Sequence, residues 1–188
     1  MEFSELLAAR HSVREFADRV VDREVLERVL DAASFAPSSM NEQPWCFYVA
    51  EGATRARVGE IMAQSTVYLA DYIDILGPER YEEASRWYTE LGGAPIVVGV
   101  TIPRTDDEPT FINRVISVGA AVQNVLLAAT NEGLGACMVT FSFWVRDQLA
   151  EAFGLAADRV VVGLVALGYP SGTPESPARS HDIAVFRE

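Results

Sequence analysis

Apolar residues recur along this chain with two periods, and the switches between them mark the elements. Phe3, Leu6 and Leu7 share one side of a helix over residues 2–10. Val25, Leu26, Val29, Leu30 and Ala33 keep helical spacing behind Asp22, a good N-cap residue, until Pro37 stops the run. Residues 45–50 (WCFYVA) are aromatic and β-rich and read as a buried strand. The pattern predicts a helix over 53–76, stopped by Gly77-Pro78, and another over 79–91. Residues 95–102 (PIVVGVTI) form the next strand, and the acidic stretch 103–109 a loop. Residues 111–132 give the longest helix, closed by Gly133. Its middle, SVGAAVQNVLLAA, is apolar on nearly every face and therefore needs covering all round. Strands follow at 134–141 and 160–167, either side of a helix at 145–153. The tail over 169–180 is rich in Pro, Ser and Gly, and the apolar run 183–186 can dock as an edge strand. No repeat or linker divides the chain, so a single domain over 1–188 is expected. Helices outweigh strands in a mixed order, which predicts an α+β fold around a central sheet.

Composition narrows the class. A chain of 188 residues, 49% hydrophobic, can build one full-sized core. Its net charge of −12 repels nucleic acid and anionic membranes alike. The two cysteines, Cys46 and Cys137, match no CxxC or zinc spacing and read as free thiols of a reducing cytoplasm. The start, MEFSELLAARHSVRE, has no apolar signal core. The longest apolar stretch, 115–129, contains Ser117, Gln123 and Asn124 and is short for a bilayer span. A soluble cytoplasmic protein is expected.

The usual catalytic signatures are absent. No GxSxG, HExxH or phosphate-loop sequence occurs, and GLGACM at 133–138 lacks the third glycine of a dinucleotide fingerprint. His11 and His181 are the only histidines, so an imidazole metal site is not expected, and Asp106, Asp107 and Glu108 read as a solvated loop. With few acids, bases or nucleophiles on offer, the chain either borrows its chemistry from a cofactor or has none. Its best polar cluster is RHSVR, residues 10–14, a positive island in an acidic chain. Arg10 and Arg14 suit forked bonds to a phosphate, Ser12 adds a donor, and the late Arg179 can join them. The competing reading pairs these arginines with nearby carboxylates such as Glu15 and Asp18, and the spacing alone does not choose.

Residues 36–45, APSSMNEQPW, are more polar than a turn requires. Pro37 and Pro44 bound the segment, but Ser38, Ser39, Asn41 and Gln43 within six positions exceed what a turn needs. Neutral side chains that both donate and accept suit a polyol or the edge of a heterocycle. Beside an anion site they point to a ligand with a phosphate, a hydroxylated chain and a polar ring, as FMN has.

Over residues 10–49 (RHSVREF … VLERVLDAASFAPSSMNEQPWCFYV) the chain resembles the opening of the nitroreductase family of FMN-dependent oxidoreductases. The family's later features follow in order: GAAVQNVLLAATNEGLG at 119–135, VVVGLVALGYP at 160–170, and Arg179. Only 52–94 matches poorly; there Gln64 is a weak candidate for a contact to the flavin ring. The resemblance implies a nitroreductase-like α+β fold, a central mixed sheet flanked by helices in a domain-entwined homodimer. It implies that Arg10, Ser12 and Arg14 hold the FMN phosphate and ribityl chain, that His11 adds backbone and ring-edge contacts, and that Arg179 completes the phosphate clamp. Pro37, Ser38, Ser39 and Asn41 would reach the flavin held mainly by the other subunit. Thr140, Phe141, Ser142 and Phe143 would lie against the ring, with Phe111, Phe141 and Phe143 in the substrate pocket.

The activity so implied is ping-pong transfer from NADH or NADPH to FMN, then to a small planar acceptor such as a nitroaromatic or quinone. Reductive dehalogenation, enone reduction or dehydrogenation of a biosynthetic intermediate on the same fold is the alternative, as is a non-catalytic flavin-binding protein. The aromatic residues Tyr68, Tyr72, Tyr81, Trp87 and Tyr88, at helical spacing, read first as packing.

Overall fold

The structure, a computed structural model, describes residues 1–172, 179–180 and 183–187. A four-stranded antiparallel sheet runs in the order β1 (Cys46–Ala50), β2 (Ile96–Pro103), β4 (Arg159–Gly168), β3 (Gly135–Val139). The expected mixed sheet thus reduces to an antiparallel one. Among the described residues its only parallel pairing is an isolated bridge between Ser12 and Ala136.

Strand β2 is buried along almost its whole length, because helices cover both faces of the sheet. One face packs on α2 (Arg23–Asp31) and α6 (Glu108–Asn131), through Leu26, Val29, Val98, Val100, Val122 and Val125. The other packs on α3 (Gly52–Ser65) and α7 (Arg146–Phe153), through Val58, Ile61, Val97, Leu149 and Leu164. Side chains of a strand alternate between faces, so one continuous apolar run feeds two cores.

Two helices differ from expectation. The predicted helix over 53–76 breaks after Ser65 into a 3-10 segment, Thr66–Tyr72, and a short helix α4 (Ile73–Leu76), before α5 (Pro78–Glu90). The hydroxyls of Ser65 and Thr66 donate to the carbonyls of Met62 and Ala63, competing with the α-helical ladder at that point. Helix α6 begins a turn early because the Asp107 carboxylate accepts from Thr110 N (2.9 Å) and caps it. The supposed acidic loop is therefore partly a helix start.

At 24 residues and a hydropathy of 1.4, α6 is long and apolar enough to cross a bilayer, unlike the shorter apolar run noticed in the sequence. In this fold one of its faces, from Ser117 to Ala129, packs in the core. Its N-terminal half leaves Phe111, Ile112, Val115 and Ile116 exposed, the last by 68%, so the covering that the sequence demands is only half supplied by the chain itself. Phe3 and Leu7 of α1 (Phe3–Ala9), Phe35 and Met40 are exposed apolar residues as well. Residues 183–187 form no strand, and Ile183, Val185 and Phe186 are exposed. Residue His181 and much of the polar tail lie outside the described residues.

Candidate functional site

Residues 12–16 run extended between β3 and the end of α5. Val13 N donates to Ala136 O (3.1 Å), and on the other side Phe16 N donates to Gly92 O (3.0 Å). The Trp87 indole N–H reaches the Arg14 carbonyl at 2.9 Å. The fit depends on glycine: a Cβ on Gly92, whose φ is +62°, would lie 1.9 Å from Arg14 O, and one on Gly135 2.7 Å from the Val13 side chain. Val13 and Phe16 turn inward onto Ala94 and Ala166, while Ser12 and Arg14 stay exposed. A short extended segment thus presents its polar residues outward from a fixed backbone.

Arg10 and Arg14 form no ion pair among the described residues, so the carboxylate-pairing reading with Glu15 and Asp18 is not what the fold adopts. The Nδ1 of His11 is buried without a hydrogen-bond partner. Burial pushes the Cys137 thiol above its ordinary value, partly offset by nearby Arg14 and Ser12. Burial likewise raises the Tyr88 hydroxyl, with Cys137 adding to it and Arg14 opposing. These four side chains are therefore neighbours. Arg179 is exposed, and no hydrogen bond joins it to this cluster among the described residues.

Further along the same sheet edge, residues 140–144 follow β3. Thr140, Phe141, Phe143 and Trp144 line a cavity of about 250 Å³ with Tyr72. Phe141 stacks on Tyr88 at 4.9 Å and meets Tyr72 edge-on at 6.2 Å; Trp144 stacks on Tyr68 at 4.6 Å. Among the described residues, no charged side chain lines the cavity. Ser142 is buried, its carbonyl accepting from Val145 N, so it supports the turn rather than lining the cavity. The aromatic residues of 68–88, read as packing in the sequence, in part build this wall. Of the three pocket residues expected, Phe141 and Phe143 take part. Phe111 does not line this cavity: α6 packs on one face of the sheet, whereas Tyr88, on which Phe141 stacks, packs with the core of the other. Gln64 accepts from Gln148 Nε2 (3.0 Å) and ties α3 to α7.

The polar loop is built differently again. Met40, Asn41 and Gln43 all have left-handed φ, at 54°, 57° and 48°. Such residues cost of order 1–3 kcal/mol each and persist only where surroundings hold them. Ser38 Oγ accepts from Gln43 N (2.9 Å), and Gln43 Nε2 donates to Asn41 Oδ1 (3.1 Å). Among the described residues, the Ser38 O–H and the Asn41 NH₂ have no acceptor within the chain, so both are left as donors for a ligand. Ser39 N donates to Ser117 Oγ (3.2 Å), and Pro37 is exposed.

The loop and the Arg10–Arg14 segment do not meet. The loop leads into Cys46, which stands level with Thr101 and so with Val161, whereas Ser12 bridges Ala136, level with Leu167. They occupy diagonally opposite corners of the sheet, about 20 Å apart along the strands and about 19 Å across them, four strand spacings from β1 to the Ser12 segment.

Residues 7–169 match the family model described as the Nitroreductase family. The chain belongs to that family. A nitrobenzene nitroreductase from Ectopseudomonas oleovorans is 28% identical over 203 residues, covering 92% of this chain and 88% of the relative. Among solved structures, a variant of an FMN and NADPH-dependent nitroreductase from sphigopyxis sp. strain HMH superposes with a TM-score of 0.81 at 24% identity, covering 100% and 99% of the two chains. A nitroreductase with bound FMN from Desulfitobacterium hafniense DCB-2 gives 0.78 at 24% identity, covering 98% and 97%. The fold is that of this family.

Proposed function

We propose that the chain is an FMN-dependent oxidoreductase using NADH or NADPH to reduce flat, electron-poor organic acceptors, as a homodimer with two shared FMN sites. The observation that carries this reading is the diagonal separation of the two polar segments. Neither completes a site in one chain, and the uncovered apolar half of α6, like the exposed Phe3 and Leu7 of α1, offers a face on which a second copy can bring them together.

The residues present fit FMN. Arg10, Ser12 and Arg14 are donors with no internal carboxylate, and the buried, unpartnered His11 Nδ1 lies in the same segment. These would hold the phosphate and ribityl chain, with Arg179 as the further cation. Ser38 and Asn41 of the partner copy would donate to acceptor atoms of the ring, while Pro37 and Ser39 shape that loop. Residues 140–143 would lie against its face. When bound, FMN supplies the hydride and electron transfer that no side chain here can perform. The protein's share is positioning and exclusion of water. The aromatic cavity beside Thr140 accepts a planar ring, and its hydroxyls, on Tyr72 and Thr140, are placed to hydrogen-bond a nitro or quinone oxygen.

The named activity of the nitrobenzene relative supports a nitroaromatic acceptor. The free thiols of Cys46 and Cys137 support a reducing cytoplasm. The test is the absorption spectrum of purified protein, then anaerobic NADH or NADPH. A yellow protein that bleaches, and recovers its colour with nitrobenzene or menadione, is expected. Colourless protein that cannot be reconstituted with FMN refutes the reading. Recovery with halophenols or enones alone would move the acceptor to another class.

A further inference from the structure

We propose that Arg114 is a positioning residue for the flavin, acting through the loop over 38–44 rather than by contact; this rests on the FMN reading above. The loop holds three non-glycine residues in left-handed backbone within four positions, Met40, Asn41 and Gln43. That conformation is not one a free segment adopts, and the segment is exposed from Ser39 to Gln43. Something outside the loop must hold it.

Three side chains do so, from two elements. Arg114 of α6 donates from Nε (2.8 Å) and from Nη2 to Glu42 Oε1, while its Nη1 bonds Pro103 O at 3.1 Å. Ser117, one turn on, accepts from Ser39 N and itself donates to Asn113 O (2.7 Å). Arg159 of β4 reaches Pro44 O (2.8 Å) and Thr101 O (3.0 Å), securing the loop's exit. Arg159 and Ser117 hold backbone near the two ends. Arg114 alone grips a side chain within the left-handed stretch, between Asn41 and Gln43. Its guanidinium side chain is 16% exposed, so the pair with Glu42 is shielded more than the surface pairs Arg23–Glu27 and Arg57–Glu60.

The consequence is pre-organisation. With Glu42 latched to α6, Gln43 is set to donate to Asn41 Oδ1, which turns the Asn41 amide donors outward. Without the latch, the left-handed residues relax, and the flavin must re-order the loop as it binds. FMN affinity would therefore fall although Arg114 never touches it.

The experiment uses the full-length chain carrying R114M, R114K, E42Q or R114M with E42Q. Hydrogen exchange of amides 38–43 is followed in the apo-protein, beside FMN titration by flavin fluorescence and the urea midpoint. R114M is expected to speed exchange in 38–43 and weaken FMN binding about tenfold, with the urea midpoint near that of the wild type. R114K should restore part of both. E42Q should reproduce R114M, and the double variant should be no worse than either single one. Unchanged exchange in 38–43, additive losses, or an FMN loss that merely tracks the urea midpoint overturns the proposal. A wild type that binds no FMN refutes the functional reading, and the positioning role with it. Exchange in the apo-protein would then still report whether the latch orders the loop.

Discussion

The indole nitrogen of Trp87 donates a 2.9 Å hydrogen bond to the backbone carbonyl of Arg14, so α5 fixes the segment that presents the arginines. Trp87 also packs edge-on against Tyr88 at 5.3 Å, and Tyr88 stacks on Phe141 of the cavity wall. One residue thus links the proposed phosphate site to the proposed acceptor pocket. Trp87→Phe keeps most of the ring contact and deletes the donor. The loss should be about 0.5–1.5 kcal/mol in a urea melt of the apo-protein, because the Arg14 carbonyl loses its partner. FMN binding should weaken as well, measured by fluorescence titration. A variant with wild-type stability and affinity would mean that the Val13–Ala136 and Phe16–Gly92 backbone bonds suffice to hold Arg14.

Arg10→Ala should separate binding from folding. The side chain has no ion pair among the described residues, so its removal should leave the melting temperature of the apo-protein nearly unchanged. If it meets a phosphate, a charge-assisted bond worth about 1.5–3 kcal/mol disappears, weakening FMN about 10- to 150-fold. Riboflavin, which lacks the phosphate, should bind both proteins alike. Equal weakening for riboflavin and FMN would assign Arg10 to another role.

How much of this was written in the sequence depends on the range of the interaction. Strands at 46–50, 96–103 and 159–168 were legible because β-rich apolar runs between breakers leave few alternatives. The break after Ser65 was not, since it turns on two hydroxyls choosing backbone carbonyls. The candidate ligand segments were legible as unusual local clusters. What held them was not. Trp87 lies 73 residues from Arg14 and Arg114 72 residues from Glu42, and no local pattern announces such pairs. Nor did the polar loop reveal that Ser38 and Asn41 each accept a bond from Gln43 and keep their donors unused within the loop.

The cap of α6 predicts a pH dependence. Thr110, through its side-chain hydroxyl and then its backbone N–H, holds the Asp107 carboxylate below its ordinary value of 3.8. A carboxyl lowered in the folded state contributes stability that is complete above its unfolded value. That contribution is lost as pH falls through the lower, folded one. Asp107→Ala should therefore lower the urea midpoint at neutral pH, and its deficit against the wild type should shrink below about pH 3.8. Asp107→Asn keeps an acceptor for Thr110 N but cannot titrate, so its midpoint should show less acid dependence than the wild type. A deficit for Asp107→Ala that persists unchanged at low pH would detach the effect from the carboxylate.

Ile116 offers the sharpest test of whether one chain can make a site. It is 68% exposed beside Phe111, Ile112 and Val115 on a helix whose opposite face is core. A charge there meets no buried neighbour in the chain itself, so Ile116→Lys should fold. In a homodimer formed on this face the same charge would be buried without a partner, at a cost large enough to split the pair. Sedimentation should then give a dimer for the wild type and a monomer for the variant, with similar far-ultraviolet circular dichroism. Because Ser12 and Asn41 sit at opposite corners of one sheet, the monomer should also lose FMN, although neither ligand segment has been touched. A monomer that retains FMN would show that a single chain closes its own site, and the shared arrangement would fall.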